Sequence, residues 1–257
     1  MSLDTYFENI FQDIPNSGND NCDCDLNCSS VCAIAMLPRV GSTMLCSLLE
    51  KTKVFGFPDE YLNPRGPMQM FASELHSSCF SDYWRKVTVS KATGNGVFSL
   101  KISYGDFHPL LNVSPLSQIL PNARFIYLDR KDVLAQAISL QSAITSGVWH
   151  RDADGNLFRS ISKAGPQYSR HALEMRIQEL LLQKAQWESF FLIYNVEPLR
   201  IMYEDLEENI SDTIRRCLDF IGVTSQVPVE RIVPATSKLA NEVNLAWYER
   251  FQSEHSL

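Results

Sequence analysis

Short apolar runs punctuate the chain at residues 31–37, 97–102, 124–128 and 199–203. The run from Val31 to Leu37 has no polar position at all, the pattern of a strand covered on both faces in a parallel sheet. Segments of helical spacing separate the runs. Leu45, Leu48 and Leu49 share one side of a helix over 42–49. Val133, Leu134, Ala137, Ile138 and Leu140 mark another over 132–143. The longest spans 168–194, with Leu173, Ile177, Leu180, Leu181 and Phe191 at helical spacing. Ile214, Leu218 and Ile221 form one face of a helix over 211–221, and Gly222 is placed to cap it. Strands alternating with helices predict a single α/β domain, with a central parallel sheet covered by helices on both faces. Ligands of such sheets sit at the carboxyl ends of the strands.

The rest of the pattern is polar. Residues 1–30 read as an N-terminal arm rich in Asn, Asp, Ser and Cys, with a short amphipathic helix between Tyr6 and Phe11; residues 31–257 form the domain. Residues 146–167 lack periodicity, and a connection that long suits a lid over an acceptor site. With 257 residues, 45% of them hydrophobic, the chain can bury a substantial core without disulfides or metal. The acidic start, Met1-Ser2-Leu3-Asp4, is neither a secretory signal nor a transit peptide, and no apolar stretch is long enough to span a bilayer. A soluble, cytoplasmic protein is the expectation. The formal net charge of −7 argues against a general nucleic-acid surface. It leaves room for an anionic cofactor held by a few cations and a helix N-terminus.

Seven cysteines are present, and Cys22, Cys24, Cys28 and Cys32 crowd together. Their spacing does not match paired C-x2-C zinc knuckles, and reduced thiols are expected. Cys46, Cys79 and Cys217 fall on apolar helical faces. His108 and His171 have no partners at metal-ligand spacing, so no metal is expected.

The richest chemistry lies in Arg39-Val40-Gly41-Ser42-Thr43, where a buried strand turns into a helix. The first N–H groups of a helix lack intrahelical partners, and the helix dipole adds positive potential there. Gly41 lets the backbone approach an anion, Ser42 and Thr43 offer hydroxyls, and Arg39 adds a planar fork of donors. A terminal phosphate or phosphosulfate fits. A helix merely capped by Ser and Thr shows the same residues. The Walker A pattern is not met, although residues 125–129, ending in Asp129, read like a Walker B strand.

This turn is similar to the R-S-G-S-T donor loop of the bacterial trehalose sulfotransferase family, within the class that uses 3′-phosphoadenosine 5′-phosphosulfate (PAPS). Gly56-Phe57-Pro58-Asp59-Glu60-Tyr61 resembles the family's G-x-P-x-E-[FY] segment, and residues 129–139 resemble its R-x-D-x-x-x-Q-A-x-S stretch. Val148-Trp149 follows in order, with a looser match over 238–250. The resemblance starts near residue 31, and Val40 departs from the usual Ser. It implies a P-loop-like, PAPS-binding sulfotransferase fold, with donor contacts at Arg39, Val40, Gly41, Ser42 and Thr43. It implies a 3′-phosphate clamp of Arg130 and Ser139, Glu60 as catalytic base, and a small-molecule hydroxyl acceptor such as a sugar or glycolipid. Lys101 matches a family Lys and faces donor or acceptor, or snorkels at the surface. Trp149 and His150 are candidate acceptor contacts. The family often pairs subunits, which makes a homodimer an expectation.

The expected reaction is in-line transfer without metal: Glu60 takes the acceptor proton, and Arg39 meets charge growing on the departing phosphate. Two other readings stay open. One is an ATP-dependent small-molecule kinase with magnesium on Asp129. The other is a nucleotide-binding module without catalysis.

Overall fold

The computed structural model describes residues 1–14, 28–151, 157–158, 167–234 and 242–254. The four apolar runs are four parallel strands: β1 (Ser30–Met36), β2 (Val97–Ser103), β3 (Ala123–Asp129) and β4 (Leu199–Met202). Their order is β2-β1-β3-β4. Ile34 lies opposite Lys101 on one side and Ile126 on the other, so β1 is flanked on both edges. Residues 31–36 of β1 are all buried, as its uniform apolar composition requires. The chain steps from β1 out to β2, then returns past β1 to β3. In open α/β sheets such a reversal marks the ligand crevice, which here falls beyond the carboxyl ends of β1 and β3.

The helices that matter for this crevice are α1 (Ser42–Lys51), α2 (Val133–Ser146) and α3 (Arg170–Ile193). Asp132 caps α2 by accepting from the Ala135 N–H at 2.8 Å, and Gly147 ends it at φ 72. The long helix α3 buries Leu173, Leu180, Trp187, Phe190 and Phe191. Leu181, expected on that face, is exposed, because it lies about 100° around the helix from Leu180. Trp187 is fully buried, stacks on Phe107 and Phe191, and donates its Nε1–H to the Met36 carbonyl at 3.2 Å. That bond fixes the end of β1 just ahead of the turn into α1. The helix predicted over 211–221 is Ile210–Ile221, closed by Gly222 at φ 82.

Several elements were not legible in the periodicity. Helices Pro67–Glu74, Phe80–Lys91 and Tyr104–Leu111 fill the connections around β2, and Glu242–Ser253 packs Trp247 against Ile138 and Leu173. Within the segment expected as a polar arm, Phe7 and Phe11 are buried in the main core. Phe7 stacks on Phe80 at 5.0 Å, and the Asp4 carboxylate accepts from the Ser81 N–H at 2.7 Å at the start of Phe80–Lys91. Cys22 and Cys24 lie outside the described residues. Cys32, Cys46 and Cys217 are buried free thiols; Cys79, expected in the core, is half-buried because it sits at the N-cap of Phe80–Lys91. No described helix is long and apolar enough to cross a membrane.

Candidate active site

The turn after β1 is an unusual piece of backbone. Arg39 sits at φ 65 and Gly41 at φ 79, both left-handed. A side chain in that region costs about 1–2 kcal/mol, so Arg39 is held there by its surroundings. Gln136 on α2, itself fully buried, donates to the Pro38 carbonyl at 2.8 Å. Val40 is fully buried and anchors the turn from beneath. Its apolar side chain belongs to the core, which accounts for an aliphatic residue where the family usually carries Ser. Gly41 is the N-cap of α1 and brings no side-chain cap to it. A Cβ there would come within 2.5 Å of the Tyr203 ring, so the position admits only glycine while Tyr203 stays in place.

Two guanidinium groups meet over this turn. Arg39 donates from Nε to Ser139 Oγ at 2.9 Å and from Nη1 to the Trp149 carbonyl at 2.5 Å. Arg130, which follows β3, reaches back to the Arg39 carbonyl at 3.4 Å and lies 4.7 Å above the Tyr203 ring. Its buried Nε has no hydrogen-bond partner. Burial and the nearby Arg130 charge pull the Arg39 guanidinium down to about 10, against an opposing effect of Tyr203. It therefore stays cationic at neutral pH. Among the described residues no carboxylate pairs with Arg39, and the nearest to Arg130 is Glu204 at 4.0 Å. Two partly buried cations, one of them with an unmatched buried donor, form an arrangement suited to an anion.

Glu204 itself is engaged elsewhere. It accepts the Lys131 N–H at 3.0 Å and the Asp132 N–H at 3.2 Å. Burial pushes its carboxyl up, but these backbone bonds, with Arg130, outweigh that and hold it below the ordinary range. Asp129, the candidate magnesium ligand of a kinase, pairs with Lys184 of α3 at 2.7 Å and accepts the Arg130 N–H at 2.7 Å.

Glu60 comes from a different direction. Asp59 bridges Leu100 on the outer edge of β2, with the Lys101 N–H donating to the Asp59 carbonyl at 3.0 Å. This seats Glu60 beside the strand. Its Oε1 lies 3.1 Å from Lys101 Nζ, and its Oε2 accepts from Asn63 Nδ2 at 2.8 Å. Asp59 Oδ1 is 4.0 Å from the same ammonium. Burial opposes the Lys101 charge, but Cys46, Glu60 and Asp59 outweigh it and leave the ammonium above its usual value. Cys46, one turn into α1, is pushed up to about 12, first by burial; Lys101 works against that shift, and Asp59 and Glu60 add to it.

Arg39, Arg130, Ser139 and the backbone of Trp149 therefore form one group around Gly41, and Glu60 with Lys101 forms a second. Ser139 accepts from Arg39 rather than from Arg130. The Trp149 ring is 41% exposed. His150 and Arg151 pair antiparallel with Leu157 and Phe158, but the His150 side chain lies outside the description, as do 152–156 and 159–166 of the expected lid. Among the described residues no group of His, Cys, Asp or Glu is arranged to hold a metal. Sequence reasoning missed Tyr203, Glu204 and Asn63. Tyr203 ends the last apolar run and Glu204 follows it, so the carboxyl-end rule pointed at both; Asn63 is three residues past Glu60.

This fold has been seen before in a sulfotransferase. The "Sulfotransferase Domain from the Synechococcus PCC 7002 Olefin Synthase" superposes with a TM-score of 0.51 at 16% identity, covering 88% of each chain. The sequence profile of the Stf0 sulphotransferase family matches residues 31–254, and the chain belongs to that family. Two curated relatives are both called trehalose 2-sulfotransferase. The protein from Mycolicibacterium smegmatis is 24% identical over 255 residues, and that from Mycobacterium tuberculosis 28% over 253; each alignment covers 84% of this chain and 92% of the relative.

Proposed function

We propose that this sulfotransferase moves a sulfuryl group from PAPS to a hydroxyl of a small carbohydrate. The observation that carries the donor half is the pair of partly buried guanidiniums, Arg39 and Arg130, on the left-handed turn, with the buried Arg130 Nε unpartnered. Such a site suits a nucleotide with phosphate at both ends. The carbohydrate acceptor rests on the two relatives, which are named for trehalose. Free thiols at Cys28, Cys32, Cys46 and Cys217 suit a reducing, cytoplasmic compartment.

PAPS supplies an electrophilic sulfur whose bond to the 5′-phosphate oxygen breaks as the acceptor oxygen attaches. Glu60 takes the proton from the acceptor hydroxyl, a role that needs an oriented, ionised carboxylate. Gly41, Ser42 and Thr43 offer backbone and hydroxyl donors at the start of α1 to the phosphosulfate. Arg39 holds positive charge where the bridging oxygen becomes negative, as preorganised cations do in phosphoryl transfer. Arg130, which lies over the Tyr203 ring, and Ser139 take the 3′-phosphate.

The kinase reading is weaker on two counts. The turn is no Walker A loop, and Asp129 is committed to Lys184 and the Arg130 N–H. The test is differential stabilisation. Adenosine 3′,5′-bisphosphate at 100 times its dissociation constant should stabilise the fold by about 2.7 kcal/mol. AMP and ATP at the same concentration should do much less. Equal shifts for the bisphosphate and AMP would remove the 3′-phosphate clamp, and a larger shift with magnesium and ATP would favour the kinase.

A further inference from the structure

The buried ammonium of Lys101 has no task in the transfer scheme above. A lysine usually lays its stem along apolar surface and keeps its charged head in water. Here the side chain is only 8% exposed, and the Nζ ends against Glu60 and Asp59. The Glu60 carboxylate is correspondingly held at both ends, Oε1 by Lys101 and Oε2 by Asn63. The peptide carrying it is pinned as well, since the Glu60 N–H donates to Asp59 Oδ1 at 2.7 Å while the Asp59 carbonyl takes the Lys101 N–H. Strand β2 thus grips the Glu60 segment by its backbone and by its carboxylate through one residue.

We infer that Lys101 is a positioning residue of the transfer reaction rather than an acceptor ligand, and that with Asn63 it keeps the Glu60 carboxylate ionised and aimed. The inference rests on Glu60 being the base. In the step, the acceptor O–H bond breaks and its proton goes to Glu60. The acceptor oxygen bonds to sulfur, and the sulfur–phosphate oxygen bond breaks with its electron pair on the phosphate. Lys101 keeps its proton throughout. Its charge has two effects: it favours the ionised carboxylate at lower pH, and it weakens the carboxylate as a base. Neither Asp59, Cys46 nor Tyr61 replaces it. Asp59 is a second anion and acts in the opposite sense. Cys46, on α1, is a buried neutral thiol. Tyr61 turns its phenol away, donating to the Phe57 carbonyl.

An opposite charge within hydrogen-bond distance lowers a carboxyl by about 1–3 pH units, so its loss should be large enough to read directly. The protein carrying 13C-carboxyl glutamate is titrated by NMR, with the Glu60 resonance assigned by its absence in Glu60→Gln. Sulfuryl transfer from labelled PAPS, with trehalose as the probe acceptor, is followed across the same pH range. In Lys101→Met the Glu60 carbon should titrate about one unit or more higher than in the wild type, and the acid limb of kcat/KM should move with it. Lys101→Arg keeps the charge but not the geometry. Its titration should stay near the wild type while kcat falls and the trehalose KM holds, and this variant carries the test if Lys101→Met does not fold. An unmoved Glu60 titration in Lys101→Met, or a raised trehalose KM with the acid limb in place, would overturn the assignment and make Lys101 an acceptor contact. Normal turnover by Glu60→Gln would instead remove the base itself, a separate failure from that of Lys101.

Discussion

Replacing Gly41 by alanine perturbs the site at its tightest point. Two costs can be separated on the structure. The backbone is left-handed at φ 79, which costs a residue with a Cβ about 1–2 kcal/mol. The new methyl would lie 2.5 Å from Tyr203 Cδ2 and 2.8 Å from Cε2, far inside contact distance. The ring cannot swing away freely, because its hydroxyl donates to Glu207 at 2.6 Å and its face carries the Arg130 guanidinium. Overpacking against a held group costs roughly 1–3 kcal/mol more. The sum is about 2–5 kcal/mol, and each kcal/mol lowers the melting temperature by roughly 2–4 °C in a chain of this size. Thermal unfolding of Gly41→Ala, Tyr203→Ala and the double variant forms a cycle that isolates the contact. With Tyr203 already removed, Gly41→Ala should cost only the backbone share, about 1–2 kcal/mol. Displacing Tyr203 should also disturb Arg130, so Gly41→Ala alone should weaken binding of adenosine 3′,5′-bisphosphate. Equal destabilisation by Gly41→Ala in both backgrounds would refute the packing of Tyr203 on the turn.

Arg39→Ala should lower turnover with PAPS by about 100-fold to 1000-fold, the usual loss for one donor aimed at developing charge. Steady-state kinetics beside bisphosphate titration should show rate falling more than affinity. Glu204→Gln should destabilise the fold at neutral pH. A carboxyl held below its unfolded value contributes stability above that unfolded value and loses it as pH falls through the folded one. The difference in melting temperature between wild type and Glu204→Gln should therefore shrink as the pH is taken down through the carboxylate range, and a constant difference would contradict the backbone bonds assigned to Glu204.

The parallel sheet was legible because its strands are buried on both faces and carry almost nothing but apolar residues. The turn at Arg39 to Thr43 was legible as a strand-to-helix junction, because glycine followed by Ser-Thr after an apolar run marks the start of a helix. What stayed hidden depends on contacts between distant segments. Nothing local distinguishes Lys101 as half of an ion pair, since its partner lies 41 residues earlier in a segment bridged to β2 at a single residue. Ser139 is expected to share a 3′-phosphate with Arg130; that its hydroxyl also accepts from Arg39, 100 residues earlier, is a contact no local pattern shows. A short amphipathic helix was legible between Tyr6 and Phe11, but the polar composition around it hid that Phe7 and Phe11 dock it on the main core. The helix Tyr104–Leu111 contains Pro109, which masked its period.

The central claim is sulfuryl transfer to a carbohydrate with Glu60 as base. It is tested most directly by incubating wild type and Glu60→Gln with 35S-labelled PAPS and trehalose, and measuring label in the sugar alongside bisphosphate affinity. The wild type should label the sugar; Glu60→Gln should bind the bisphosphate as well as the wild type yet transfer about 100-fold to 10,000-fold more slowly. Labelling by Glu60→Gln at the wild-type rate, or no transfer to the sugar by a wild-type protein that binds the bisphosphate, would contradict it.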